Sequence, residues 1–297
     1  MPHSMDVHLR DAVNEGVIEG PRMICSGQEL SMTAGHGDLQ IPPWAYREPG
    51  LTCDGVDECI KAVRCRLREG VDFIKIHTSG GCMSNNDRLE WRNYRVEEIR
   101  AITDEAHAFG LRVAAHAEGR EGIRTALLGG VDTIEHGFYL DDELIEIMLK
   151  QGTYLIPTLS VGGIIIEKKD SLGIPKDCYD KSVASHEANR KSALAAYKAG
   201  VKIAYGSDAF NVPRVRESAN EFRYMYEAGI PTLAIIRAAT LGAADAMNIM
   251  DETGSIEKGK FADMILVSDD PRQDITVLGD PDRTCMVMKQ GRIVVQK

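Results

Sequence analysis

Short apolar runs alternate with amphipathic stretches along most of the chain, and each change of period marks the boundary of an element. Residues 71–76, in the stretch VDFIKIHTSGG, read as a short strand buried on both faces and closed by a Thr78-Ser79-Gly80-Gly81 turn. The same pattern predicts strands at 22–28, 111–117, 131–135, 153–159 and 201–206. Between and after them it predicts helices at 54–69, 95–109, 121–128, 141–151, 180–199, 217–228 and 232–247, the last with Pro231 at its start. Residues 162–177 read as a polar loop with a short helix. A helix also opens the chain, with an apolar face of Val7, Leu9, Ala12 and Val13 that has nothing before it to pack against.

Strands that alternate with helices make a parallel sheet covered by helices, so the fold class is α/β with about six strand-then-helix units. From Gly254 the texture changes to strands joined by tight glycine turns with no helix between them. The expected division is therefore 1–253 for the α/β part and 254–297 for a small β portion.

Lys75 is the first residue that packing does not explain. A buried ammonium is costly and tends to lose its proton, so this lysine either reaches a core carboxylate or is held neutral for chemistry. Three later strands also end in ligand-type residues: His116, His136 and Asp208. In parallel α/β folds functional groups gather at the C-terminal ends of strands, and four in equivalent places are hard to explain as packing. Two imidazoles and a carboxylate are a ligand set that zinc or its neighbours prefer, which predicts metal-assisted hydrolysis with Asp208 taking the proton of the attacking water.

Composition narrows the partners. The formal charge of −10, without a Lys/Arg run, argues against nucleic acid or an anionic membrane surface as the main partner. The seven cysteines form an odd set without a CxxC pair, so reduced thiols in the cytoplasm are expected rather than a disulfide framework or structural zinc cluster. No apolar stretch has spanning length.

Taken in order, GPRMICSG with AGHGD, DFIKIHTSGG, VAAHAEG, DTIEHG, the PTL strand, AYGSDA, AATLGAADAMNI and GSIEKGKFADMILV make the chain resemble the amidohydrolase superfamily. The branch it resembles holds imidazolonepropionase-like and Xaa-Pro dipeptidase-like enzymes. The resemblance implies a (β/α)8 TIM barrel of the metal-dependent hydrolase type beside a small β-sandwich, with a binuclear zinc centre bridged by a carboxylated lysine. By position Lys75 is that lysine. His116 and His136 hold one metal, and Asp208 binds the other and serves as general base. The resemblance also puts His36 and Glu118 beside the substrate, a small amide, cyclic amide or dipeptide cleaved at a C–N bond.

One departure stands out. The family's first barrel strand ends in an HxH pair that supplies two metal ligands, and no HxH occurs in these 297 residues. The chain is accordingly expected to begin inside the second βα unit, short of the first strands. Open strand edges favour association into a homo-oligomer. Two alternatives stay open: a catalytically impaired homologue or interaction module holding one metal or none, and a mononuclear deaminase, which the bridging lysine disfavours. His77 is expected to face away from the site as an ordinary strand-end histidine, and His107 and His186 to be solvated on helices.

Overall fold

The structure is a computed structural model that describes residues 4–39, 51–84, 86–169, 171–209 and 217–297. Its centre is a parallel sheet in sequential order: β1 (Phe73–His77), β2 (Arg112–Ala117), β3 (Thr133–His136), β4 (Tyr154–Ile156) and β5 (Lys202–Ile203). Leading into and between the strands run α1 (Met5–Asn14), α2 (His36–Leu39), α3 (Val56–Glu69), α4 (Val96–Ala108), α5 (Arg120–Gly129), α6 (Asp142–Gln151), α7 (Leu159–Glu167) and α8 (Lys176–Ala199). Gly70 and Gly200 close α3 and α8 in the left-handed conformation, at φ 79° and 91°, which a Cβ would disfavour.

Strand periodicity sorts the side chains. Ile74, Ile76, Val113, Ala115, Ala117, Ile134 and Leu155 point to one face, where they pack with Ile99, Ile102, Ile123, Leu127, Leu144 and Met148 of the helices. The alternate residues, Lys75, His77 and His116 among them, point to the other face and line a cavity. β1 is covered on both faces, as expected, but the two differ: one is core and the other is polar.

Three more expectations shift. Residues 22–28 form no strand; pairing begins later, where Leu30 bridges Ile76 by N–H to Lys75 O at 2.8 Å and by accepting His77 N–H at 3.1 Å. At the far edge the ladder holds only Lys202–Ile203 of the expected 201–206. The helix expected at 232–247 is interrupted by a wide turn at Ala238–Gly242, because Ala238 O accepts Tyr205 N–H at 3.1 Å and a Cβ on Gly242 would lie 2.5 Å from Ile203 O. The opening helix does find a partner: Arg10 pairs with Asp72 at 2.6 Å, and Ser4 donates to Glu69 at the end of α3 at 2.6 Å.

β6 (Met264–Val267), β7 (Thr284–Lys289) and β8 (Arg292–Gln296) form a separate antiparallel sheet. It is tied to the early chain by Arg22, which meets Asp263 at 2.5 Å, and by Lys289 Nζ, which donates to Gly20 O at 2.5 Å. Burial alone would raise the Asp263 carboxyl, but the Arg22 guanidinium and the Gln290 N–H outweigh it and hold it below the ordinary carboxylate range. A carboxyl depressed in the folded state contributes stability above its unfolded pKa of 3.8 and loses it as pH falls through the folded value. D263N should therefore cost roughly 1 kcal/mol at neutral pH, the pair being part-exposed. Denaturant titrations of wild type and variant should converge as pH falls below the unfolded value of 3.8 and through the folded one.

Candidate functional site

The cavity on the polar face of the sheet holds about 470 Å³ and is lined by all six residues singled out in the sequence: His36, Lys75, His116, Glu118, His136 and Asp208. β1 and β2 deliver Lys75, His116 and Glu118 by simple alternation. His136 needs more, since its register partner Ala117 and its neighbour Ile134 belong to the helix-facing set. A left-handed backbone at His136, φ 76°, turns the ring into the cavity. The same conformation recurs at Thr158 (φ 48°) after β4 and at Asp208 (φ 49°) after β5. Non-glycine residues pay of order 1–3 kcal/mol for such a backbone, and it concentrates at sites where side-chain direction matters.

Four imidazoles meet there. His36 stacks on His116 with centroids 4.3 Å apart, His77 lies 5.1 Å from His116, and His136 meets His116 edge-on at 4.7 Å. Hydrogen bonds assign their tautomers. Thr158 Oγ1 spends its one proton on Pro157 O at 2.8 Å, so at 2.6 Å it accepts Nδ1–H of His136 and leaves Nε2 as the lone-pair nitrogen. Asp87 Oδ2 accepts Nδ1–H of His36 at 2.7 Å and is itself held by Ser84 Oγ and Gly81 N–H. His116 Nε2–H faces Gly80 O at 3.3 Å, leaving Nδ1 for a ligand. Burial, reinforced by the neighbouring histidines and Lys75, pushes His77, His116 and His136 well below the usual imidazole range. Neutral imidazole is the form that binds metal.

Lys75 takes the first option open in the sequence, a carboxylate partner, while burial moves it toward the second. Its ammonium contacts the Glu135 carboxylate, and burial lowers its pKa to about 8 against the opposing pull of Asp208 and Glu29. Burial pushes Glu118 up to about 8 while its carboxylate accepts Cys82 N–H at 3.0 Å. Among the described residues, two groups bring ligand atoms within 4.8 Å of one another: His36 with His77 and His116, and His116 with Glu118 and His136. These neutral nitrogens and a carboxylate fit a divalent metal ion. Asp208 is exposed at the cavity and belongs to neither compact group.

The amidohydrolase family model matches residues 3–294. The chain belongs to the amidohydrolase family. Among its relatives, the ochratoxinase of Aspergillus niger is 34% identical over 301 residues, covering 95% of this chain and 62% of that protein. Among solved structures, a Xaa-Pro dipeptidase with bound methionine in its active site superposes with a TM-score of 0.89 at 36% identity, covering 97% of this chain and 71% of the other. A prolidase complexed with N-methylphosphonate-L-proline gives 0.91 at 33% identity, covering 98% and 73%. This amidohydrolase chain thus spans less than two thirds of the ochratoxinase's length.

Two expectations about histidines are corrected. His77 faces the cavity, because residues two apart on a strand share a face and Lys75 already points inward. His186, on α8, also lines the cavity with a buried Nδ1, and burial lowers its pKa. His107 is exposed and bonds Asp132 at 2.8 Å, while His3 lies outside the described residues. Asp87 and Ser84 carried no sequence signal, since they orient His36 from a loop 51 and 48 positions away.

The crowding of these rings is testable at Gly81. A Cβ there would lie 2.4 Å from His36 Cε1 and 2.9 Å from His116 Cε1. G81A should destabilise the fold by about 1–3 kcal/mol through overpacking, measured by urea unfolding. It should also disturb the ring resonances of His36 and His116 in NMR spectra before that of His107.

Proposed function

We propose that this chain carries the active-site face of a hydrolase that cleaves C–N bonds in a small amide, cyclic amide or dipeptide. One observation supports the reading above the rest: Lys75, His116, His136 and Asp208, far apart in sequence, line one cavity together with His36 and Glu118. Relatives named ochratoxinase and Xaa-Pro dipeptidase favour the same bond class. In this reading the structure is most of a (β/α)8 barrel over residues 1–253, with residues 254–297 contributing to a β-sandwich. The chain works in the cytoplasm, which suits seven free cysteines, and pairs as a homo-oligomer. No helix among the described residues is long and apolar enough to cross a membrane.

Lys75, His116, His136 and Asp208 would hold divalent metal, most simply zinc in a binuclear arrangement. When bound, the metal supplies Lewis acidity and a water of lowered pKa. The chain's own groups do the rest. Asp208 accepts the proton of the attacking water on a carboxylate oxygen and returns it to the departing nitrogen. With its pKa lowered to about 8, Lys75 gives up its proton far more readily near neutral pH than an ordinary lysine. The neutral amine can add carbon dioxide and release a proton to give an anionic carbamate ligand. Thr158 keeps Nε2 of His136 aimed inward, and Glu118 contacts a polar end of the substrate.

The alternative is an impaired homologue or interaction module. Metal analysis and turnover on a panel of N-acyl amino acids and dipeptides separate the two. The hydrolase reading expects two metals per chain and chelator-sensitive turnover. D208N should then lower kcat by at least about 100-fold with an unchanged melting curve. A folded, metal-loaded chain with no turnover on any member would overturn it.

A further inference from the structure

His77 is buried, with 5% of its surface exposed, and neither ring nitrogen has a hydrogen-bond partner. Glu29 Oε1 stands 3.9 Å from Nε2, beyond hydrogen-bond reach. A neutral imidazole carries one donor and one acceptor, and leaving both unmet inside a protein is unfavourable unless something else binds there. Packing alone does not account for this ring, because it sits on the cavity side of β1, apart from the apolar core.

The surroundings indicate what binds. His36 and His116 lie with their ring centroids 5.3 and 5.1 Å from that of His77, and one ligand atom from each of the three falls within 4.8 Å of the others. Bonds of about 2.0–2.1 Å at tetrahedral angles place ligand nitrogens roughly 3.3 Å apart, so the set needs to contract by no more than about 1.5 Å. His36 already has the carboxylate support that metal-bound histidines use: Asp87 takes its Nδ1–H at 2.7 Å and is fixed by Ser84 and Gly81. Two backbones also make room for the rings. A Cβ on Gly81 would meet His36 at 2.4 Å, and one on Gly37 would meet His77 Cδ2 at 3.1 Å.

We propose that His36, His77 and His116 form a three-imidazole site for one divalent transition metal of the zinc, cobalt or nickel kind, with Asp87 as the residue that positions His36. It rests on the metal-centre reading only for its neighbour, the half of the cavity formed by Lys75, His136 and Asp208, and it assigns the one open nitrogen of His116, Nδ1, to the three-imidazole site instead of that neighbour. Three neutral nitrogens select borderline-soft ions and discriminate against magnesium and calcium.

The test uses the full chain, stripped with chelator and titrated with Zn2+ or Co2+ by calorimetry, with bound metal counted by mass spectrometry. H77A and H36A should each weaken one equivalent by at least about 10-fold, and D87N by about 10- to 100-fold, with a 100-fold excess of Mg2+ failing to compete. H136A and D208N should leave that equivalent intact. Loss only in H136A and D208N would overturn this site and keep the neighbouring one; loss only in H77A and H36A would do the reverse. Should H77A fail to fold, X-ray absorption of the wild-type chain with one equivalent of Zn2+ decides: three imidazoles at the metal support the site, and one or none refutes it.

Discussion

The cavity exists because a parallel strand presents its residues alternately, and here the two faces are given opposite chemistry. Ile74 and Ile76 of β1 are fully buried against the helices, while Lys75 and His77 between and after them turn to the cavity. The next strand repeats the division, with Val113, Ala115 and Ala117 in the core and His116 on the other side. A one-residue slip in register would send the ionisable groups into the apolar layer and the isoleucines into the cavity. The apolar packing behind the sheet therefore fixes the register on which the chemistry in front of it depends.

Placing so many titratable groups in a low-dielectric space forces them toward neutral or paired forms. Three histidines are held below their usual range, Lys75 and Glu118 are both moved to about 8, and Lys75 contacts Glu135. The histidine and lysine shifts run in the direction metal binding needs, since a nitrogen must be deprotonated to donate its lone pair, whereas the rise of Glu118 favours its neutral acid. Secondary contacts then choose which nitrogen is offered: Thr158 for His136, Asp87 for His36 and Gly80 O for His116. The left-handed residues His136, Thr158 and Asp208 are the backbone counterpart, each turning at the end of a strand where an ordinary φ would point the side chain elsewhere.

Much of this was legible in the sequence because it is local. Strand and helix periods, the glycine stops at 70 and 200, and ligand-type residues at strand ends all follow from patterns a few residues long. The family resemblance on the same motifs agrees with the match over residues 3–294. What escaped is non-local or geometric. The pairing at Leu30 rather than 22–28 depends on where β1 passes, and the wide turn at Ala238–Gly242 depends on a carbonyl drawn to Tyr205. His77 was misplaced by neglecting the two-residue period that already located Lys75. His186 was misplaced because nothing within a helix tells which loop its polar face will meet.

That last case points to α8 as more than a cover. Lys181 Nζ donates to the carbonyls of Gly81, Ser84 and Asp87, at 3.1, 2.5 and 3.1 Å. Those three residues are the ones that hold or crowd His36: Gly81 and Ser84 donate to Asp87, and Asp87 receives the imidazole. One ammonium thus gathers a loop about 100 positions away in sequence into the shape that orients a cavity histidine. A residue further along the same helix, Asn189, donates to Pro157 O at 3.0 Å, the carbonyl that also takes the Thr158 hydroxyl. The tautomers of His36 and His136 are consequently set through a single helix, so a displacement of α8 acts on both imidazoles together, although neither lies on that helix.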